Sequence, residues 1–517
     1  MRAALKKNPT RTRISISQSF PSPIGGWNDR DALAAMPPTD AIALENWFPR
    51  TSYVEIRGGS SNHLTGITGT PLTLAVYNSQ TGANKMFVAN STNVYDASSA
   101  GAVGASVATV TNGQFQYLNY GDGTNNYLMM FNGVDKPLFY NGTTWISVDA
   151  ASSPALTGLT TTKIISANAS KGRLFFVEKD SLSFWYLAAG AAGGALTEFP
   201  LDGVAKRGGY LMASATWTFD AGDGIDDAIV FVTSEGEIIV YKGTNPSVAA
   251  NWLLVGVFDL GKPLGRRCFM KFGGDLIIVT QNGAFPLSTA LLSATINNKT
   301  ALTNKIENSF NTASRSYGSN FGWESINFPA QSAILFNIPN TTASEQFVMN
   351  TITKAWCKFT GWDAETFAVF NGDLYFTTST KVVKAWTGTA DVVSDIVAYG
   401  KSAFSYFGKV GVQKRFNMFR PVLAVNGSLS FLTDVDVDFN DTPITSTATY
   451  TVPSTAQWDV SIWDSAYWAP GLQIVKNWTS PDEGMGYAGA GKIKITTGSL
   501  TIQWISSDWI FEHGGLI

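Results

Sequence analysis

Two histidines, His63 and His513, set the first bound on the chemistry of this 517-residue chain. Each lies in a polar terminal segment and is expected at the surface, so a Ser-His-Asp or Cys-His relay has no imidazole suited to it. The cysteines, Cys268 and Cys357, stand beside Phe269 and Trp356 with no metal knuckle near them. They read as buried free thiols. Asp220, Asp223, Asp226 and Asp227 approach a calcium loop, but their spacing departs from Asp-x-Asp-x-Asp-Gly and no glutamate closes the coordination sphere. A polar turn between strands is the expectation there. No arginine recurs at a fixed repeat position, as a propeller glycosidase with paired carboxylates would require, and no glycine-rich phosphate loop precedes a helix. The residues read as a non-enzyme with no cofactor and no metal.

Two further clusters suggest surfaces rather than catalysis. Asp434, Asp436 and Asp438 alternate with Val435, Val437 and Phe439. On a strand the three carboxylates share one face about 7 Å apart, too far to hold one metal directly. That face is either solvated or a lining that repels a polyanion, with the apolar partners turned into a core. The second cluster is aromatic: Trp458, Trp463 and Trp468 recur every five residues, with Tyr467 and Trp478 close by. They either pack as core or, because a period of five suits neither helix nor strand face, form an extended docking segment.

The elements that must position these groups repeat. Apolar runs begin at Met86, Tyr127, Leu174, Ile229, Leu276, Ile334 and Leu374, and each leads through a polar stretch into a second such run. The starts lie 41, 47, 55, 47, 58 and 40 residues apart. Hairpins repeating at roughly 40–50 residues indicate a β-propeller, here of six or seven blades. Residues 61–390 carry it, with a short helix expected near 289–318 from the spacing of Leu302, Ile306 and Phe310. Residues 1–60 are read as a basic arm and a motif where the chain enters the propeller. In that motif Trp27, Asn46, Trp47 and Phe48 are structural, and the alternating stretch 53–59 closes the ring. Residues 391–517 are read as an antiparallel β-sandwich or jelly roll carrying the Trp-rich segment 458–478.

Composition fits an all-β chain whose surface is partly covered. Glycine is abundant at 49 residues, while charged residues make up only 15% and the net charge is −3. A nucleic-acid reader would carry a basic face, and a bilayer span would need an apolar stretch of roughly 18–20 residues, longer than any here.

Three stretches together resemble the tail nozzle (tail hub, or packaged-DNA stabilisation) proteins of short-tailed bacteriophages. They are residues 25–59, GGWNDRDALAAMPPTDAIALENWFPRTSYVEIRGG; residues 407–439, with GVQKRF and the Asp-x-Asp-Phe strand; and the Trp-Asp pentad followed by a Trp-x-Phe-x-x-Gly-Gly close. The resemblance implies a virion protein made in the host cytoplasm. It forms a homo-hexamer below an adaptor ring, meets tail fibres, spikes or a needle, and touches double-stranded DNA transiently as the DNA leaves. A carbohydrate-binding tail protein is the alternative, with the tryptophans as sugar platforms.

Overall fold

The seven apolar runs fall on the second strands of seven antiparallel sheets: Lys85–Asn90, Asn126–Phe131, Arg173–Glu178, Ala228–Thr233, Asp275–Thr280, Ala333–Ile338 and Asp373–Thr378. The computed structural model describes residues 15–80, 82–218, 227–291, 298–451, 472–475, 477–481 and 484–514. The chain divides into two units, residues 58–394 and residues 1–57 joined with 395–517.

In the first unit each repeat is a blade. The first strand of each blade lies against the next sheet, and Thr366–Phe370 of the last lies against Pro71–Tyr77 of the first. This closes a seven-bladed β-propeller. Ser60–Thr65 supplies the outer strand of the last blade by pairing antiparallel with Lys381–Ala385, so both ends of the unit share one sheet. The stretch 53–59 is not the closing strand: Val54–Ile56 pairs with Trp47–Pro49 and with Ile502–His513 in the other unit. Ser60–Thr65, SSNHLT, carries a single apolar side chain, Leu64, so no alternation marks it as the closing strand.

The second strands are apolar on both faces because each blade is covered on both sides. Leu174 and Phe176 pack toward Met129, Phe131 and Phe139 of the preceding blade. Phe175 and Val177 pack toward Ile229 and Phe231 of the following one, where Phe184 stacks on Phe231 at 4.5 Å. Asparagines stand at or just past the ends of the first two of these strands. Asn90 Oδ1 accepts the N–H groups of Thr92 and Asn93 at 2.9 and 2.7 Å, and Asn132 Oδ1 accepts those of Val134 and Asp135. The side chain thus supplies the acceptor that turns the chain back.

The fifth blade has three strands, and helices follow its third, Gly283–Pro286. Residues Leu302–Ile306 form a 3₁₀ turn that continues into an α-helix over Glu307–Tyr317, with Ile306 and Phe310 buried. Thr303 Oγ1 accepts the Ala284 N–H, and the Ser314 hydroxyl donates to the Gln281 carbonyl. The insert therefore covers the position a fourth strand would fill and protects the edge.

The second unit is a sandwich built from both chain ends. One sheet runs Asp40–Glu45, Ile396–Ser402, Gly489–Thr497, Leu429–Val437 and Thr447–Tyr450. The other runs Trp47–Pro49, Val54–Ile56, Ile502–His513, Lys414–Val425 and Gln473–Ile474. Phe416, Phe419, Trp509 and Phe511 pack with Val435 and Val437 between them. Ser15–Pro21, read as part of the basic arm, pairs with Ile502–His513. Its alternating sequence finds a partner nearly five hundred residues away, which no local signal announces. The basic residues Arg2, Lys6, Lys7, Arg11 and Arg13 lie outside the described residues.

Candidate functional site

The propeller axis is bridged by one side chain. Arg267 lies two residues before the first strand of the fifth blade, Phe269–Phe272, and is only 14% exposed. Its Nη1 donates to Glu324 Oε2 and Thr366 Oγ1, both at 2.8 Å. Its Nη2 donates to Thr73 Oγ1 at 2.8 Å, the Phe115 carbonyl at 3.0 Å and the Leu72 carbonyl at 3.3 Å. Those acceptors belong to the first, second, sixth and seventh blades. The planar guanidinium, with five fixed donors, is suited to such a multi-partner node. Glu324 is 9% exposed and also accepts from the Phe367 N–H. Burial pushes its carboxyl above the ordinary value, with Arg267 and these donors opposing the shift. The Arg267 guanidinium also lies 5.1 Å from the Phe321 ring centre.

Two recesses meet at this node. One, of about 550 Å³, is lined mainly by loops that precede the first strands or follow the second; the other, of about 380 Å³, is lined mainly by the first strands themselves. Arg266 and Arg267 border both. A search for repeated residues cannot find Arg267, because it occurs once and bonds to unlike partners on each blade.

The three carboxylates do not form one open face: Asp434 and Asp436 are buried, and Asp438 alone is exposed, past the end of the strand. Asp436 has no exposed surface; Lys401 Nζ lies 2.6 Å from one carboxylate oxygen and Lys492 Nζ 2.5 Å from the other. Lys401, Lys492 and Asp434 occupy directly opposed positions on three adjacent strands. The Asp436 carboxylate, one step along, separates two ammonium groups that would otherwise repel. Thr442 folds back over this face and donates its hydroxyl to Asp436 at 2.6 Å. Burial alone would push the Asp436 carboxyl up; hydrogen bonds from Lys401, Lys492 and Thr442 outweigh it and hold the group below its ordinary value. Asp434 is buried, and Asp438 accepts the N–H groups of Tyr487 and Ala488. All three carboxylates therefore have partners within the chain, contributed by strands the local alternation does not reveal. Val435 and Val437 face the core as read, but the strand ends at Val437 and Phe439 is 37% exposed at φ +67°.

The residues around position 47 are internal. Trp47 and Phe48 have no exposed surface, Asn46 is 2% exposed and Trp27 is 8% exposed. Trp47 meets Trp504 edge to face at 5.9 Å. A Cβ on Gly400 would come within 2.9 Å of the Trp504 ring, so the strand can pass there only as glycine. Asn46, at φ +57°, donates to the Val397 carbonyl and accepts from buried Arg57 at 2.9 Å. Trp458, Trp463, Tyr467 and Trp468 lie outside the described residues, as do Asp220, Asp223 and Asp226. Trp478 is half-buried beneath the Arg420 guanidinium, 4.5 Å away.

Cys268 and Cys357 are buried free thiols, and burial pushes Cys268 up to about 12. His63 and His513 are half-buried rather than fully exposed. His63 Nε2 contacts the Ala97 carbonyl at 2.8 Å, and its ring meets Tyr375 at 4.8 Å.

No protein-family model matches the chain, and no curated protein does. Among solved structures it is similar to BBS1N in a complex with ARL6DN, at 15% identity and a TM-score of 0.27, covering 43% of this chain and 64% of that one. It is also similar to the extracellular domain of a one component system protein from B. thetaiotaomicron, at 11% identity and a TM-score of 0.29. That match covers 77% of this chain and 48% of the other, so the chain spans less than two thirds of the length of either structure.

Proposed function

We propose that the chain is a structural protein of a short bacteriophage tail. Six copies form a nozzle ring that bounds the DNA exit channel, retains packaged DNA and conducts it during ejection. The observation that carries this reading is the propeller whose axis is bridged by Arg267. Such a module serves as a wall element: Arg267 crosses its axis, so DNA passes between subunits and not through a blade ring. The resemblance of residues 25–59 and 407–439 to tail nozzle proteins supports the same assignment.

Surface character agrees. Leu253, Leu254 and Val255 are 61, 45 and 47% exposed in succession on the outermost strand of the fourth blade, Trp252–Asp259. An open edge of this kind is one that natural proteins cover or blunt. A charged fraction of 15% suits burial against neighbouring subunits, where interface cores are poor in charge. A net charge of −3 also spares the DNA strong phosphate contacts, each of which would add affinity and oppose sliding. Gold-labelled antibody against the propeller tests the assignment. Label confined to the tail supports it, and particles free of label refute it. The second reading, a tail protein that binds carbohydrate, is favoured by one observation, the axial recess.

A further inference from the structure

Arg266 is half-buried at the axis and makes no hydrogen bond or ion pair with any described residue, in contrast to its neighbour Arg267. Exposed Asp180 and the Tyr210 hydroxyl act on it only through space, and burial pulls its guanidinium below the ordinary value. Lys179 lines the same 550 Å³ recess, and among the described residues that line it there is no carboxylate. Two cations without bonded counterions in a concave, partly desolvated site raise the local potential for an anion. A guanidinium fork left open there costs stability unless something fills it.

The remaining lining indicates more than a bare ion site. The side-chain amides of Gln114 and Gln116 face the recess with no hydrogen bond to described residues, and each offers both donors and an acceptor. Tyr210, 36% exposed, and Phe321 supply aromatic surface. Amides that give and take hydrogen bonds suit hydroxyl groups, aromatic faces suit the C–H side of a sugar ring, and the volume lies within the ordinary range for a small-molecule site. We propose that this recess binds a carboxylate-bearing sugar, such as a uronic acid unit, with Arg266 and Lys179 on the carboxylate and Gln114 and Gln116 on the hydroxyls. The site stands whether or not the chain assembles into a tail ring.

Isothermal titration of the full chain at low salt with glucuronate, glucose and inorganic phosphate tests this. Glucuronate is expected to bind about tenfold more tightly than glucose, which lacks the carboxylate for Arg266 and Lys179, and about tenfold more tightly than phosphate, which lacks the hydroxyls and ring face for Gln114, Gln116 and the aromatics. R266Q and K179Q should each weaken glucuronate about tenfold or more, while the thermal midpoint of R266Q stays level or rises because an unpaired cation has been removed. Undetectable glucuronate binding, wild-type affinity in both variants, or phosphate binding as tight as glucuronate would overturn the proposal.

Discussion

Arg267 and Glu324 pair at 2.8 Å on the propeller axis, and their hydrogen bonds tie the segment leading into the fifth blade to the first, second, sixth and seventh. A buried pair of this kind is costly to break from one side, because the partner left behind keeps its charge without compensation. R267A should destabilise the propeller by roughly 3–5 kcal/mol. The double change R267M/E324L should recover part of that loss, since packed apolar groups replace a buried pair at little net cost. Thermal unfolding of the three proteins checks this; a midpoint for R267A equal to wild type would show that the axis does not need its bridge.

In the sandwich, Asp436 between Lys401 and Lys492 is the corresponding node. D436N should cost roughly 3–5 kcal/mol, because two buried ammonium groups then face one another. Replacing Asp434, Asp436 and Asp438 together by lysine should prevent the sandwich from folding. Denaturant unfolding measures the loss in D436N, and near-ultraviolet circular dichroism of the triple lysine variant would reveal an intact fold if this is wrong.

The same carboxylate gives a pH dependence of definite sign. Its folded value lies below the unfolded one, so its contribution is fully present above the ordinary aspartate value of about 3.9. It is lost as pH falls through the folded value. The stability gap between wild type and D436N should therefore be widest near neutrality and shrink steadily in acid below that value. A gap that grows on acidification contradicts the assignment.

Trp47 and Phe48 are fully buried in the sandwich. Changing both to alanine should cost several kcal/mol, given about 3–5 kcal/mol for each large-to-small aromatic change. The loss should appear in the sandwich transition, with the propeller transition little altered. Differential scanning calorimetry resolves the two.

Much of the propeller was legible in sequence because its second strands are buried on both faces. Continuous apolar runs such as 174–177 and 229–232 therefore stand out. The short helix was legible for the related reason that Ile306 and Phe310 share one buried face. What failed were matters of partnership. Val54–Ile56 lies in the alternating stretch yet joins the sandwich, while the mostly polar Ser60–Thr65 closes the propeller. Ser15–Pro21 and Asp436 hide their partners for the same reason, since Ile502–His513 and the lysines that complete them are remote in sequence. Arg267 was invisible because a node that breaks the repeat leaves no periodic trace.

Electron cryo-microscopy of the intact particle is the most direct test of the proposed function. The account predicts six copies in a ring on the tail axis, about 334 kDa for chains of 55.6 kDa. DNA density should run between subunits, and every propeller axis should be bridged at Arg267. DNA density inside a propeller, or a chain found only on peripheral fibres, would contradict it.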